Sequence, residues 1–172
     1  DTAASGGGSD ELFNGGAVDI SGFELYLRRI LVDNGRIQMP LELAWTNTNS
    51  KFQESFDGFW GDVSKGDELT YLPDTMIALN LGLNVDKISA YISMKKTSEM
   101  RTVAGSGSIS SSNATDELTI IDLGLRYALQ DNIRLSVGIN NFMDDDGVVS
   151  RRPYGARPTM PRSFSFGVDY TF

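Results

Sequence analysis

Strict two-residue alternation runs through this chain and is cleanest in its last ten residues. Phe164, Phe166, Val168, Tyr170 and Phe172 fall on one side of an extended backbone, and Ser163, Ser165, Gly167, Asp169 and Thr171 on the other. Successive strand side chains point to opposite faces, so this is a strand with one aromatic face and one small or polar face. Six more segments share the period. Phe23, Leu25 and Leu27 oppose Gly22, Glu24, Tyr26 and Arg28, while Met39, Leu41, Leu43 and Trp45 oppose Gln38, Pro40, Glu42 and Thr46. Ile77, Leu79, Leu81 and Leu83 oppose Asn80 and Gly82; Ile88, Ala90, Ile92 and Met94 oppose Ser89, Tyr91, Ser93 and Lys95. Ile121, Leu123, Leu125 and Tyr127 oppose Asp122, Gly124 and Arg126; Ile133, Leu135, Val137 and Ile139 oppose Arg134, Ser136, Gly138 and Asn140. The pattern predicts an all-β protein of about seven antiparallel strands.

The connections alternate in length. Val32–Gly35, Asn84–Lys87 and Gln130–Asn132 are tight hairpin turns rich in Asn, Asp and Gly. Between them lie long stretches at about 47–73, 97–117 and 143–162. Short turns on one side and long loops on the other are the pattern of an outer-membrane barrel, with periplasmic turns and extracellular loops. A soluble all-β domain has no reason to sort its loops, and loops above about 15 residues are uncommon there. Parity then puts Phe172 on the periplasmic side. Aromatics at the end of the last strand fit a membrane-interface girdle.

Composition removes other classes. No run approaches the roughly 18 apolar residues of a membrane helix, whereas a barrel strand needs only about 9–11 residues of alternating character. With no cysteine and no histidine among 172 residues, thiol chemistry, Ser-His-Asp catalysis and His-based zinc sites are all excluded. The net charge of −8 argues against a nucleic-acid partner. The opening Asp-Thr-Ala-Ala-Ser-Gly lacks the basic and apolar regions of a signal peptide. Glu24, Arg28, Asp122, Arg126, Arg134 and Asp169 share the polar faces, where they would solvate a wet lumen and pair across it. Residues 1–17, with Gly6–Gly8 and Asp10-Glu11, do not read as an eighth strand and resemble the end of another external loop. Because an open sheet edge cannot persist in lipid, and bacterial single-chain barrels use even strand numbers, the expectation is the C-terminal part of a larger barrel.

No catalytic constellation is present, and no enzyme or cofactor is expected. Gly105-Ser106-Gly107 lacks the third glycine of a dinucleotide loop and reads as a flexible, Ser-rich linker. Asp144-Asp145-Asp146-Gly147 lacks the later bidentate acid of a calcium loop and reads as a turn, so no metal site is expected. Asn113-Ala114-Thr115 matches a glycosylation sequon by pattern only.

Another set of motifs is more specific. Asn141-Phe142-Met143-Asp144, then Arg151-Arg152-Pro153, Gly155-Ala156-Arg157-Pro158, Pro161-Arg162-Ser163-Phe164 and the terminal Tyr170-Thr171-Phe172 resemble the C-terminus of TonB-dependent outer-membrane receptors. The chain departs from that pattern at Phe142-Met143 and at Thr159-Met160. Upstream, Gly22-Phe23-Glu24 is similar to the opening of a barrel strand in these receptors. Phe59-Trp60-Gly61-Asp62, Gly66-Asp67-Glu68-Leu69, Tyr71-Leu72-Pro73 and Met100-Arg101-Thr102 resemble the branch that handles ferric citrate and related chelates.

The resemblance implies the last third of a 22-strand barrel, with residues 1–17 a loop remnant and 18–172 strands and external loops. It implies an importer of a ferric chelate or siderophore in the bacterial outer membrane, driven by TonB through a plug domain that lies outside this chain. Outer-membrane lipid and the remaining strands of the receptor would be its other partners. Loop arginines Arg101, Arg151, Arg152 and Arg157 are the expected ligand contacts, since guanidinium forks match carboxylates bidentately. A passive porin or small adhesin is the main rival, and a soluble lipophile-binding barrel a further one.

Overall fold

The computed structural model describes residues 16–58, 61–152 and 155–172. The glycine-rich and acidic parts of the expected loop remnant (residues 1–15), the Phe59-Trp60 part of one motif, and Pro153 with Tyr154 lie outside the described residues. Seven strands form one sheet: β1 (Val18–Asp33), β2 (Ile37–Phe52), β5 (Thr75–Val85), β6 (Ile88–Thr97), β7 (Leu118–Gln130), β8 (Ile133–Asn140) and β11 (Ser163–Tyr170). They pair in chain order and every pairing is antiparallel, giving an uninterrupted meander. Two short hairpins rise from the long connections: β3 (Phe56–Gly58) with β4 (Gly61–Val63), and β9 (Val148–Ser150) with β10 (Arg157–Pro158). Strands of two or three residues carry no readable period, so the sequence pattern did not reveal them.

Register is what turns seven alternating segments into two surfaces. Leu27, Leu43, Leu79, Met94 and Ile121 lie opposite one another across β1, β2, β5, β6 and β7. Ile92, Leu123, Ile139 and Phe164 continue an adjacent apolar row into β8 and β11. The other face carries Arg28, Glu42, Asn80, Ser93 and Asp122 in one row, with Arg28 Nε 3.2 Å from Glu42 Oε1. A one-residue slip at any pairing would mix the two surfaces. On the polar face Tyr91 lies over Gly124, where a Cβ would come within 2.0 Å of the ring. That close approach requires glycine at 124.

Neither surface is covered. Phe166 is 80% exposed and Val168 71%. Among the described residues the buried apolar side chains are Phe52, Val63 and Ala114, all at the long-loop end. A monomer in water rarely exposes contiguous apolar surface beyond a few hundred Å². No helix of the described residues is long and apolar enough to cross a membrane, which leaves strands untouched as a means of crossing.

The short turns follow expectation. Gly35 takes φ +80° and Asp86 φ +49°, the left-handed conformations such turns need. Asn34 Oδ1 accepts from the backbone N–H groups of Arg36 and Ile37 at 3.1 and 2.8 Å. Arg36 reaches the next turn and pairs with Asp86 at 3.0 Å. On the opposite side β1 and β2 run further than the apolar period, to Val18 and Phe52. Beyond Trp45 both faces of β2 are polar (Asn47, Thr48, Asn49, Ser50, Lys51), so the alternation that marks the rest of the strand is lost there.

Candidate functional site

The long connections continue the wall instead of hanging free. After β2 the chain returns beside its own strand: Phe52 donates its N–H to the carbonyl of Asp67, and Gly66 donates to Phe52, both at 2.8 Å. The next connection lies beside this return, with Glu68 donating to Gly105 and Tyr71 to Arg101, both at 2.8 Å. Thr102 donates to Asn113 and Thr115 to Met100 within that second connection; Asp116 then donates to Val148 of the third at 2.9 Å. The order of the sheet is thus kept above it. Gly105–Gly107 is not a flexible linker: Gly105 is bridged to Glu68, and the Gly107 carbonyl accepts from the Arg101 guanidinium. The loss of glycine freedom is offset by hydrogen bonds that a Ser/Gly composition does not reveal.

Side chains lock these connections together. Arg101 is 7% exposed and its Nε lies 2.5 Å from Glu68 Oε2. Arg151 Nε donates to the Ala114 carbonyl, and Arg152 Nε to the Thr102 carbonyl at 3.2 Å. Three of the four expected ligand arginines therefore converge on the middle connection. Arg157 does not join them; it is exposed in β10, and its guanidinium has no hydrogen-bond or ion-pair partner among the described residues. The Tyr71 hydroxyl accepts from the backbone N–H groups of Arg151 and Arg152 at 3.3 and 3.1 Å, joining the first connection to the third. Tyr71 holds φ +56°, a conformation that is strained for a side chain of its size. Thr102 and Thr115, at 2% and 1% exposure, fill the centre of this cluster.

A second cluster closes the third connection. Asn141, 3% exposed at φ +50°, donates Nδ2 to the carbonyls of Asp145 and Met160, and its Oδ1 accepts from Asp145 N–H. Arg162 donates its N–H to Asp144 Oδ1 at 2.8 Å and its guanidinium to the Phe142 carbonyl at 3.2 Å. The Asn-Phe-Met-Asp and Pro-Arg motifs form one latch between the ends of β8 and β11. The Asp144–Asp146 run is turn chemistry, and no group of three or more acids among the described residues is arranged to hold a metal ion. Sequence reading singled out these motifs without assigning them this role, because the partners are 18 and 20 residues apart.

A cavity of about 460 Å³ lies between the first and second connections. Glu68, Asp74, Glu99, Arg101, Ser108 and Glu117 line part of it. Arg101 is committed to Glu68, and Glu117 to Lys96 at 2.8 Å. Sequence reasoning gave no sign of this acid-rich recess.

No model of a known protein family matches the chain, and no curated protein matches it in sequence. Among solved structures the chain is similar to the ferric-catecholate import receptor Fiu of E. coli K12. Against its open form the TM-score is 0.67 at 18% identity, over 89% of this chain and 21% of the receptor. Against its closed form the TM-score is 0.56 at 16% identity, over 98% of this chain and 31% of the receptor. At these identities the likeness establishes fold: an all-β, seven-stranded antiparallel sheet corresponding to part of a barrel. The chain spans less than a third of that receptor's length.

Proposed function

We propose that the chain is barrel wall and external loops of an outer-membrane receptor that imports a ferric chelate with energy delivered through TonB. The observation that carries this reading is the single apolar face running in register across seven strands, bounded on the long-loop side by Asn47, Thr75 and Thr119. Hydrocarbon is the surrounding that stabilises such a face, and polar residues on the reverse face suit a watery lumen. Both edge strands, β1 and β11, keep one free edge. In lipid those edges require further strands, and the remaining barrel of a longer receptor supplies them. Residues 1–17 then belong to a fourth external loop, and Phe172 faces the periplasm.

An iron-chelate cargo is supported by the fold likeness to a ferric-catecholate import receptor together with the C-terminal motif resemblance. The ferric citrate branch rests on loop motifs alone, so we assign the cargo as a ferric chelate and no further. Arg157, exposed and uncommitted, is the arginine suited to first contact with an anionic chelate; Arg101, Arg151 and Arg152 hold the loops that frame it. The test is uptake of radiolabelled iron chelates by cells expressing the intact receptor. Uptake abolished by a protonophore or by loss of TonB supports the reading; passive conductance unaffected by either supports a porin instead.

A further inference from the structure

We infer that Arg29 is a binding site for the phosphate of a phospholipid in the leaflet on the short-turn side. The inference rests on the membrane reading above and adds a lipid contact to it. In register, Leu25 opposes Trp45, Leu27 opposes Leu43 and Arg29 opposes Leu41, so Arg29 stands on the apolar face. The row it opens continues through Leu41, Leu81, Ile92, Leu123, Ile139 and Phe164. Lys96 stands on this face in the row of Ile77 and Thr119, at its long-loop margin, and is paired with Glu117 at 2.8 Å; between that row and the short turns, Arg29 is the one charged residue of this face among the described residues.

Its surroundings offer the guanidinium nothing. Arg29 is exposed, and no hydrogen bond or ion pair involves it among the described residues. Its neighbour Arg28, on the polar face, is paired with Glu42. An arginine on a lipid-facing barrel position costs about 2–4 kcal/mol at the bilayer midplane and about 0–1 near the interface. Arg29 lies four residues before the end of β1 at Asp33. With a rise of about 3.3 Å per residue and a tilt near 40°, that is roughly 10 Å above the end of the strand. Tyr127 marks the same side of the face, four residues below Leu123 in the Arg29 row. From this height an arginine side chain can run down the Val32 and Met39 surface and bring its head to the headgroup level. The donor fork then meets phosphate bidentately, which a lysine does not do.

The experiment uses the intact receptor, unsubstituted and as Arg29→Leu, Arg29→Lys and Arg29→Gln, in nanodiscs of phosphatidylcholine with a minor fraction of phosphatidylglycerol. Native mass spectrometry after mild release counts phosphatidylglycerol retained, and heat-modifiability on gels checks that each variant has folded. The expected result is about a tenfold loss of retained phosphatidylglycerol in Arg29→Leu and Arg29→Gln, the scale of one charge-assisted contact, with an intermediate loss in Arg29→Lys. Equal retention by all four overturns the site. A nitroxide at Leu27 that reports water instead of lipid would sink the membrane reading itself, and is separable from these outcomes.

Discussion

The sheet and the loop cluster above it are stabilised in opposite ways. In the wall, apolar side chains are exposed and polar backbone groups are paired by the strand ladder. In the cluster, the most buried side chains are polar: Thr115, Thr102, Asn141 and Arg101. Each of these four has hydrogen-bonded partners, and no buried side-chain nitrogen or oxygen among the described residues lacks one. On the membrane reading proposed above, the difference follows from surroundings. A wall in hydrocarbon obtains its apolar partner from lipid and needs no core. Loops in water must generate their own interior from short segments, and hydrogen bonding to carbonyls is what those segments offer.

The largest expected effect lies in the cluster. Arg101→Ala empties a buried position and removes the partner of Glu68 and of the Gly107 carbonyl; with Glu68 itself partly exposed, the loss should be about 2–4 kcal/mol. Limited proteolysis of the intact receptor should show faster cleavage within residues 101–113, with the barrel still heat-modifiable. In the wall, Leu123→Arg at the middle of the apolar face should cost about 2–4 kcal/mol in refolding titrations into bilayers. The same charge as Ser93→Arg, on the polar face, should cost under about 1 kcal/mol. Equal costs would erase the distinction between faces.

Smaller effects sharpen the contrast. Gly124→Ala forces the Tyr91 ring aside and should cost about 1–3 kcal/mol in the same titration, with Tyr91→Ala relieving it. Tyr71→Phe leaves the N–H groups of Arg151 and Arg152 without their shared acceptor. It should cost about 1–3 kcal/mol in the cluster, read as faster amide exchange at residues 148–152, and should leave wall strands β5 to β8 unchanged. Smallest is Arg28→Ala: Arg28 and Glu42 are exposed, so the loss should stay within about 1 kcal/mol.

What the chain revealed in advance divides along the same line. Leu41, Leu43 and Trp45 advertise a face because a strand between two different media must alternate, and short Asn/Asp/Gly turns advertise hairpins. Asn47 to Lys51 are equally strand but polar on both faces, with Ser50 buried under the returning chain and accepting from the Leu69 N–H, so β2 looked shorter than it is. Tyr71, Glu68 and Thr102 sit in segments without period, and their partners lie 11 to 81 residues away. Such contacts leave no local trace. Motif resemblance did pick out Glu68, Tyr71, Arg101 and Asn141, though as family markers and not as the joints of a loop lattice. The arginines were chosen for their chemistry toward a ligand; three of them spend that chemistry on backbone carbonyls or on Glu68, and only Arg157 remains uncommitted among the described residues.

Nitroxide labels at successive positions of β6, Ile92 and Ser93, in the intact receptor reconstituted into bilayers give the most direct test. Collision with dissolved oxygen should dominate at Ile92, and collision with a water-soluble nickel chelate at Ser93. If both positions favour the nickel chelate, or if neither meets oxygen, the apolar face is not against lipid and the receptor assignment fails.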